Sequence, residues 1–403
     1  MNGYRCFQCD LTQAADFPGW ACPDCGGNLD VVNDHDTILR QIKKAPYNSE
    51  RIPLRIGNTP LYAAERLGQS IGLRNLYLKD DTVNPSASSK DRASGAVVVR
   101  AMDAGAKIVS AASTGNAGSS LACIAAAAGL QAVVFVPESA PIAKLTQALS
   151  FGATVLSVRG SYDDAFDLCM EASKRFGWYN RSTGINPFTR EGKKVCAWEI
   201  WAALEGRVPD RVIVPAGDGN ILSGMWKGWR ELKEVGFVDQ LPKIDCAQSN
   251  RSNAITRMVR TMGRSDQPDW ATATPVSVAA STVADSISVD RPRDGTAAAR
   301  AVVESGGIAI TVSDKQILSA IPEMASMSGI FPEPAAATPL AAAKLMVKEH
   351  LVAADEIVVC LVSGNGLKDI ERARTVTTEP LVIEPSLDAV EAAIASVKDP
   401  AAA

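Results

Sequence analysis

A lysine that opens a helix behind a run of small residues can bring its amine against a flat carbonyl ligand, and residues Asn84 to Ser94 supply one. They read Asn-Pro-Ser-Ala-Ser-Ser-Lys-Asp-Arg-Ala-Ser, with Lys90 near the centre. Backbone at Pro85 and the four small residues can crowd such a ligand, which suits a Schiff-base lysine. A solvated lysine in the first turn of a surface helix is the plainer alternative. Three further turns bear on the choice. Ser113-Thr114-Gly115-Asn116-Ala117-Gly118 leads into a helix running to about Ala128, and gathers hydroxyls, amide N–H groups and a carboxamide where a carboxylate or a ring oxygen could bind. An ordinary helix cap would use the same residue types. Gly217-Asp218-Gly219-Asn220-Ile221-Leu222-Ser223-Gly224 lets backbone donors close round a phosphate at the start of the next helix, if Asp218 points away from it. That loop has neither the Gly-Lys-Ser/Thr ending of a Walker A loop nor a dinucleotide fingerprint, and a tight turn without an anion is its alternative. Val362-Ser363-Gly364-Asn365-Gly366-Leu367-Lys368-Asp369 puts the Ser363 hydroxyl at the carboxyl end of a strand, where open α/β sheets make ligand contacts. Capping is the rival role for Ser363. Together the turns fit a phosphorylated heteroaromatic cofactor held by Lys90.

A second constellation stands at the start of the chain. Cys6-x-x-Cys9 and Cys22-x-x-Cys25 are separated by twelve residues and followed by Gly26-Gly27. Two such knuckles complete a tetrahedral zinc shell with no open position, so the metal would be structural, standing in for a core too small to form in about 30 residues. Only His35 and His350 exist, neither near a motif, and no Ser-His-Asp set can be drawn.

The elements that position these groups follow from the patterning. Short apolar runs at Leu76–Leu78, Ile108–Ala111, Ala132–Val136, Thr154–Val158, Val212–Val214, Ile244–Ala247, Ile308–Val312 and Ile357–Val362 read as strands. Helical patterns such as Tyr162–Phe176 and Ala297–Glu304 lie between them, so the fold class is α/β with parallel sheets covered by helices. Gln41 to Leu61 reads as a connector. Thr375 to Glu384 is rich in Thr, Glu and Pro, Leu387 to Val397 could form a short helix, and Asp399-Pro-Ala-Ala-Ala reads as a frayed end. At 403 residues, with 46% hydrophobic and 21% charged residues, the chain is a globular protein of two or three domains. A net charge of -4 without a long basic run argues against nucleic acid or an anionic membrane as partner. The N-terminus lacks the apolar segment of a secretory signal, no window could span a bilayer, and the five cysteines outside the knuckles sit in apolar segments. The expected compartment is the cytoplasm.

These motifs, in this order, resemble the fold-type II pyridoxal-phosphate enzymes, and within them the threonine synthase group. The lysine motif of that group, Asn-Pro-Thr-Gly-Ser-Phe-Lys-Asp-Arg, is matched at Asn84, Pro85, Ser88, Lys90, Asp91 and Arg92. The Ser-Thr-Gly-Asn, Gly-rich and Ser-Gly-x-Gly-Leu-Lys-Asp turns follow at similar distances, and some members carry a cysteine-paired N-terminal ribbon. The resemblance implies pyridoxal 5'-phosphate as cofactor beside structural zinc, and a homodimer acting on a small amino-acid substrate. It implies that Lys90 is the Schiff-base lysine and proton carrier, that Asn116 meets the ring oxygen, and that Gly217, Gly219, Asn220 and Ile221 hold the cofactor phosphate. Ser363 would face the ring nitrogen, Ser113 and Thr114 would take the substrate carboxylate, and Lys79 and Arg190 would be further substrate-binding residues. A neutral hydroxyl at the ring nitrogen favours elimination and replacement over transamination.

The implied architecture is a zinc ribbon over 1–30, a large domain over 31–93 and 183–373, a smaller inserted domain over 94–182, and a tail over 374–403. Two positions depart from the group. Ala87-Ser88-Ser89 stands where Gly-Ser-Phe is usual, and in Asn186-Pro187-Phe188-Thr189-Arg190 the expected arginine position holds Thr189, with Arg190 one place on, turned by about 100° on a helix. The expected activity is conversion of O-phosphohomoserine and water to threonine and phosphate. β-Elimination or β-replacement on another amino acid, as in a serine/threonine dehydratase or a cysteate synthase-like enzyme, is the alternative. A cofactor-free regulatory or scaffold protein that kept the fold is the reading from another class.

Overall fold

The computed structural model describes residues 1–398. The expected frayed end at 399–403 lies outside the described residues. Strands β1 (Gly3–Cys6), β2 (Thr12–Gln13) and β3 (Leu29–Val32) form a small antiparallel sheet in the order β2-β1-β3. The chain then supplies β4 (Leu61–Ala63), β5 (Asn75–Asp80), β6 (Ile108–Ala112), β7 (Gln131–Pro137), β8 (Thr154–Val158), β9 (Tyr179–Asn180), β10 (Arg211–Pro215), β11 (Lys243–Ser249), β12 (Ala309–Val312) and β13 (Ile357–Val362). Two sheets result, one of six strands in the order β12-β11-β10-β13-β5-β4 and one of four in the order β8-β7-β6-β9.

The eight runs expected as strands are strands. β10 and β13 are buried almost end to end, as continuous apolar strands covered on both faces must be. The larger sheet is mixed where a parallel one was expected, because β4 pairs antiparallel with β5 at its edge. β4 and β9 escape the sequence patterning: one is half-exposed Leu-Tyr-Ala, the other two residues long. An alanine-rich helix, Pro334–Lys348, begins with proline at its first position and lies buried against β10 to β13. Its short side chains let the helix sit close to the sheet.

Three helices carry most of the site: Lys90–Asp103, Phe188–Ala203 and Asn220–Glu234. The first two cross at Gly192, where an added Cβ would lie 1.9 Å from the Arg92 carbonyl oxygen. Backbone rests on backbone there, so the lysine helix keeps a fixed height over its neighbour.

Candidate active site

Lys90 is the first residue of its helix, and the turn before it is tied to the turn after β13. Ser88 bridges to Gly364, Ser89 N donates to the Ser363 carbonyl at 2.8 Å, and Asn365 N donates to the Ala87 carbonyl at 3.1 Å. Ala87 adopts a left-handed φ of 66°, the conformation for which the related motif uses glycine. The two residues after the lysine are anchors. Asp91 accepts from Ser86 N and Oγ at 2.6 and 2.5 Å. Arg92 reaches Asp81 and Glu199, each at 2.7 to 2.8 Å.

A cleft of about 840 Å³ opens above Lys90, between the two larger sheets. Lys90, Ser113, Thr114, Asn116, Gly217, Gly219, Asn220, Ile221 and Ser363 all line it. Gly219 takes a left-handed φ of 91° and opens the helix Asn220–Glu234. Ser223 N donates to the Gly219 carbonyl at 3.0 Å, so the amides of the helix's first turn are the free donors of a helix N-terminus, an arrangement suited to an anion. The Asn220 side chain is fixed at both ends, accepting from Lys193 Nζ at 2.7 Å and donating to Asp294 at 2.9 Å. Asp218 also lines the cleft, and its carboxylate accepts from Arg293 N at 3.1 Å.

Burial lowers the Lys90 amine below the ordinary lysine range, and the carboxylate of Glu333 partly opposes that shift. Burial likewise raises the Glu333 carboxyl. Glu333 accepts from the Asn116 side-chain amide at 2.9 and 3.0 Å, which fixes the orientation of that amide at the cleft wall. Glu333 falls outside every sequence motif; the one local signal is its position just before Pro334, the first residue of a helix. Arg181, Ser182, Thr183 and Tyr162 were likewise not selected from sequence, and all line the cleft beside Lys193, which the sequence offers with Arg190 and Lys194 as a stand-in for the shifted arginine.

Two expected substrate-binding residues do not join them. Lys79 is fully buried on β5, donating to Glu199 at 2.7 Å and to the Thr59 carbonyl at 2.6 Å. Arg190 points toward the N-terminal sheet. Its guanidinium pairs with Asp294 at 2.6 Å and Asp30 at 3.1 Å and stacks 4.2 Å from the ring of Phe7. The one-residue shift from Thr189 has turned it there, while Thr189 Oγ1 donates to the Asn186 carbonyl at 2.7 Å. These are corrections: a buried cation needs buried carboxylates, and Glu199 and Asp294 arrive from distant parts of the chain.

The four N-terminal cysteines do converge. Their sulfurs all lie within 4.8 Å of one another, with neighbouring pairs at 3.4 to 3.6 Å.

An amine at a helix start, a glycine-shaped loop at a helix N-terminus, a braced carboxamide and a strand-end hydroxyl meet around one cleft. Residues 52–364 match the family model "Pyridoxal-phosphate dependent enzyme". Similarity extends along nearly the whole chain to threonine synthase of Methanosarcina acetivorans, 34% identical over 98% of this chain and 99% of the relative. Threonine synthase of Methanocaldococcus jannaschii is 35% identical over 94% and 96%. The chain belongs to the pyridoxal-phosphate dependent enzymes, in the threonine synthase group. The fold is shared with a threonine deaminase of Solanum lycopersicum, with a TM-score of 0.68 at 19% identity over 86% of this chain and 94% of that one.

Proposed function

We propose that the protein is a threonine synthase, converting O-phosphohomoserine and water to threonine and inorganic phosphate. The observation that carries this reading is the convergence of Lys90, Asn116, the Gly217–Ile221 loop and Ser363 on one cleft, within a chain similar end to end to threonine synthases. Pyridoxal phosphate, when bound, would supply an electron sink for the α-carbon and the carbons next to it. The loop amides and the helix dipole behind them would hold its phosphate, and Asn116, braced by Glu333, would meet its ring oxygen.

Lys90 moves the protons. Burial lowers its basicity, so its amine can take protons from the α- and β-carbons of the substrate and return them at the γ- and α-carbons. Phosphate leaves the γ-carbon with the C–O bonding pair, and water supplies the hydroxyl at the β-carbon and the balancing proton. Ser113 and Thr114, at the start of a helix, take the substrate carboxylate. Ser363 offers the ring nitrogen a neutral partner, which favours elimination over transamination. Lys90→Ala should abolish both the near-visible absorbance of the loaded protein and threonine formation. Release of 2-oxo acid from serine or threonine, with no phosphate from O-phosphohomoserine, would instead support the β-elimination reading that Ser89 and Thr189 motivate.

We further propose that Cys6, Cys9, Cys22 and Cys25 hold one structural zinc. Four sulfurs about 2.3 Å from a tetrahedral zinc stand roughly 3.8 Å apart, close to the observed spacing and far from a disulfide. The other five thiols are free and buried, in keeping with a reducing cytoplasm. By analogy with the group the enzyme is a homodimer, for which sedimentation would return twice the chain mass.

A further inference from the structure

Buried cations in this protein are, with few exceptions, paired. Arg92, Arg190, Lys79, Lys194 and Lys227 each meet a carboxylate within 3.1 Å. Lys90, Arg181 and Lys193 line the cleft, and among the described residues none of the three is in an ion pair within 4.0 Å. Lys90 is committed to the cofactor carbonyl, and Lys193 is tied through Asn220 to the phosphate loop. Arg181 remains, only 1% exposed. Its Nε donates to Ser94 Oγ at 3.2 Å and its Nη1 to Thr183 Oγ1 at 2.7 Å. Its Nη2 is buried with no acceptor, and so is the hydroxyl of the next residue, Ser182.

A guanidinium fork with one unfilled prong, beside an unfilled hydroxyl, in a cleft wide enough for more than a cofactor, is the donor set for a tetrahedral oxyanion. Arg190, the arginine expected among the substrate-binding residues, is instead committed to Asp30 and Asp294. We propose that Arg181, with Ser182 and Thr183, forms the subsite for the phosphate group that leaves the substrate. The electrostatics agree: after burial itself, Arg181 and Lys90 hold the Lys193 amine well below the ordinary lysine range against Asp294 and Asp218, so the three cations crowd one another along the cleft wall. The assignment rests on the threonine synthase reading for the identity of the substrate, and on the structure alone for the anion site.

The test uses cofactor-loaded wild type, R181Q and R181K, with three measurements: inorganic phosphate affinity by calorimetry, kcat and KM for O-phosphohomoserine, and cofactor affinity by absorbance titration. R181Q should weaken inorganic phosphate binding and raise KM by about 10- to 100-fold, the range of a charge-assisted hydrogen bond. Cofactor affinity should stay within about threefold, and R181K, which keeps the charge but loses the fork, should recover only part of the loss. Should R181Q not fold, R181K alone must weaken phosphate binding by about tenfold. Unchanged phosphate affinity, no phosphate binding by the wild type, or a parallel loss of cofactor affinity would each overturn the assignment, the last by placing Arg181 on the cofactor's own phosphate. Wild type that releases no phosphate from O-phosphohomoserine, yet loses phosphate affinity in R181Q, would keep the anion site and sink the threonine synthase reading alone.

Discussion

Replacing Arg190 with Met separates a substrate-binding arginine from a structural one. In the structure the guanidinium spans three parts of the protein: the Asp30 carboxylate and Leu29 carbonyl of the N-terminal sheet, the Ser223 hydroxyl behind the Gly217–Ile221 loop, and Asp294. Methionine fills most of the volume but leaves Asp294, whose side chain is fully buried, with only neutral donors from Asn28, Asn220 and Ser223. Asp30 keeps Lys227 at 3.0 Å, so a single uncompensated carboxylate results. Breaking one partner out of a buried pair costs about 3–5 kcal/mol, and the lost stacking on Phe7 adds roughly 0.5–1 kcal/mol. Urea unfolding at pH 7 should therefore show a loss of about 3.5–6 kcal/mol. Because Asp294 also accepts from Asn220, cofactor affinity should weaken by about tenfold, the equivalent of one hydrogen bond. KM for O-phosphohomoserine at saturating cofactor should stay within about twofold, since less than half a kcal/mol separates the two enzymes in that term. A stability change under about 1 kcal/mol together with a KM raised about tenfold would refute the argument and return Arg190 to the substrate.

Three other outcomes follow from the packing. Glu199 is held far below the usual carboxylate range by Arg92 and Lys79, against the opposing effect of burial, so the stability it contributes is complete above about pH 4.3 and is lost as pH falls from there toward its lowered folded value. Glu199→Gln should cost about 3 kcal/mol at pH 7 and flatten that acid limb, a difference read from paired urea melts at pH 7 and pH 3. Ala87→Gly relieves a left-handed residue at a cost in unfolded-chain entropy, for a net gain of about 0.5–1 kcal/mol and a rise in Tm of about 1–2 °C by calorimetry; a fall in Tm would contradict it. Elemental analysis should return one zinc per chain, and chelation should abolish hydrogen-exchange protection at Gly3–Cys6 and Leu29–Val32, with unchanged protection counting against a structural metal.

The sequence revealed most where one local pattern decides the structure. Continuous apolar strands such as Ile357–Val362 and a capped amphipathic helix such as Tyr162–Phe176 could be bounded to the residue. Each glycine or small-residue turn announced itself because backbone that must approach a ligand tolerates few side chains. Edge strand β9 and the alanine-rich helix at Pro334 carry no periodic signal, since one is too short and the other is buried all round. The same limit explains the errors at Lys79 and Arg190 and the omission of Arg181 and Glu333. Whether a buried charge is spent or spare depends on partners more than a hundred positions away: Glu199 lies 120 residues from Lys79 and Asp294 lies 104 from Arg190.

The tie between the Lys90 and Ser363 turns has a consequence for how such an enzyme can diversify. The Lys90 amine and the Ser363 hydroxyl, which would together decide what kind of bond is broken, sit on adjoining turns laced by backbone bonds that are indifferent to side-chain identity. Ser113, Thr114 and Arg181, which would decide which molecule is admitted, follow strands of the other sheet, after β6 and β9. Reactivity and selectivity are thereby inherited on separate pieces of chain, and a change in one can be tried without disturbing the other.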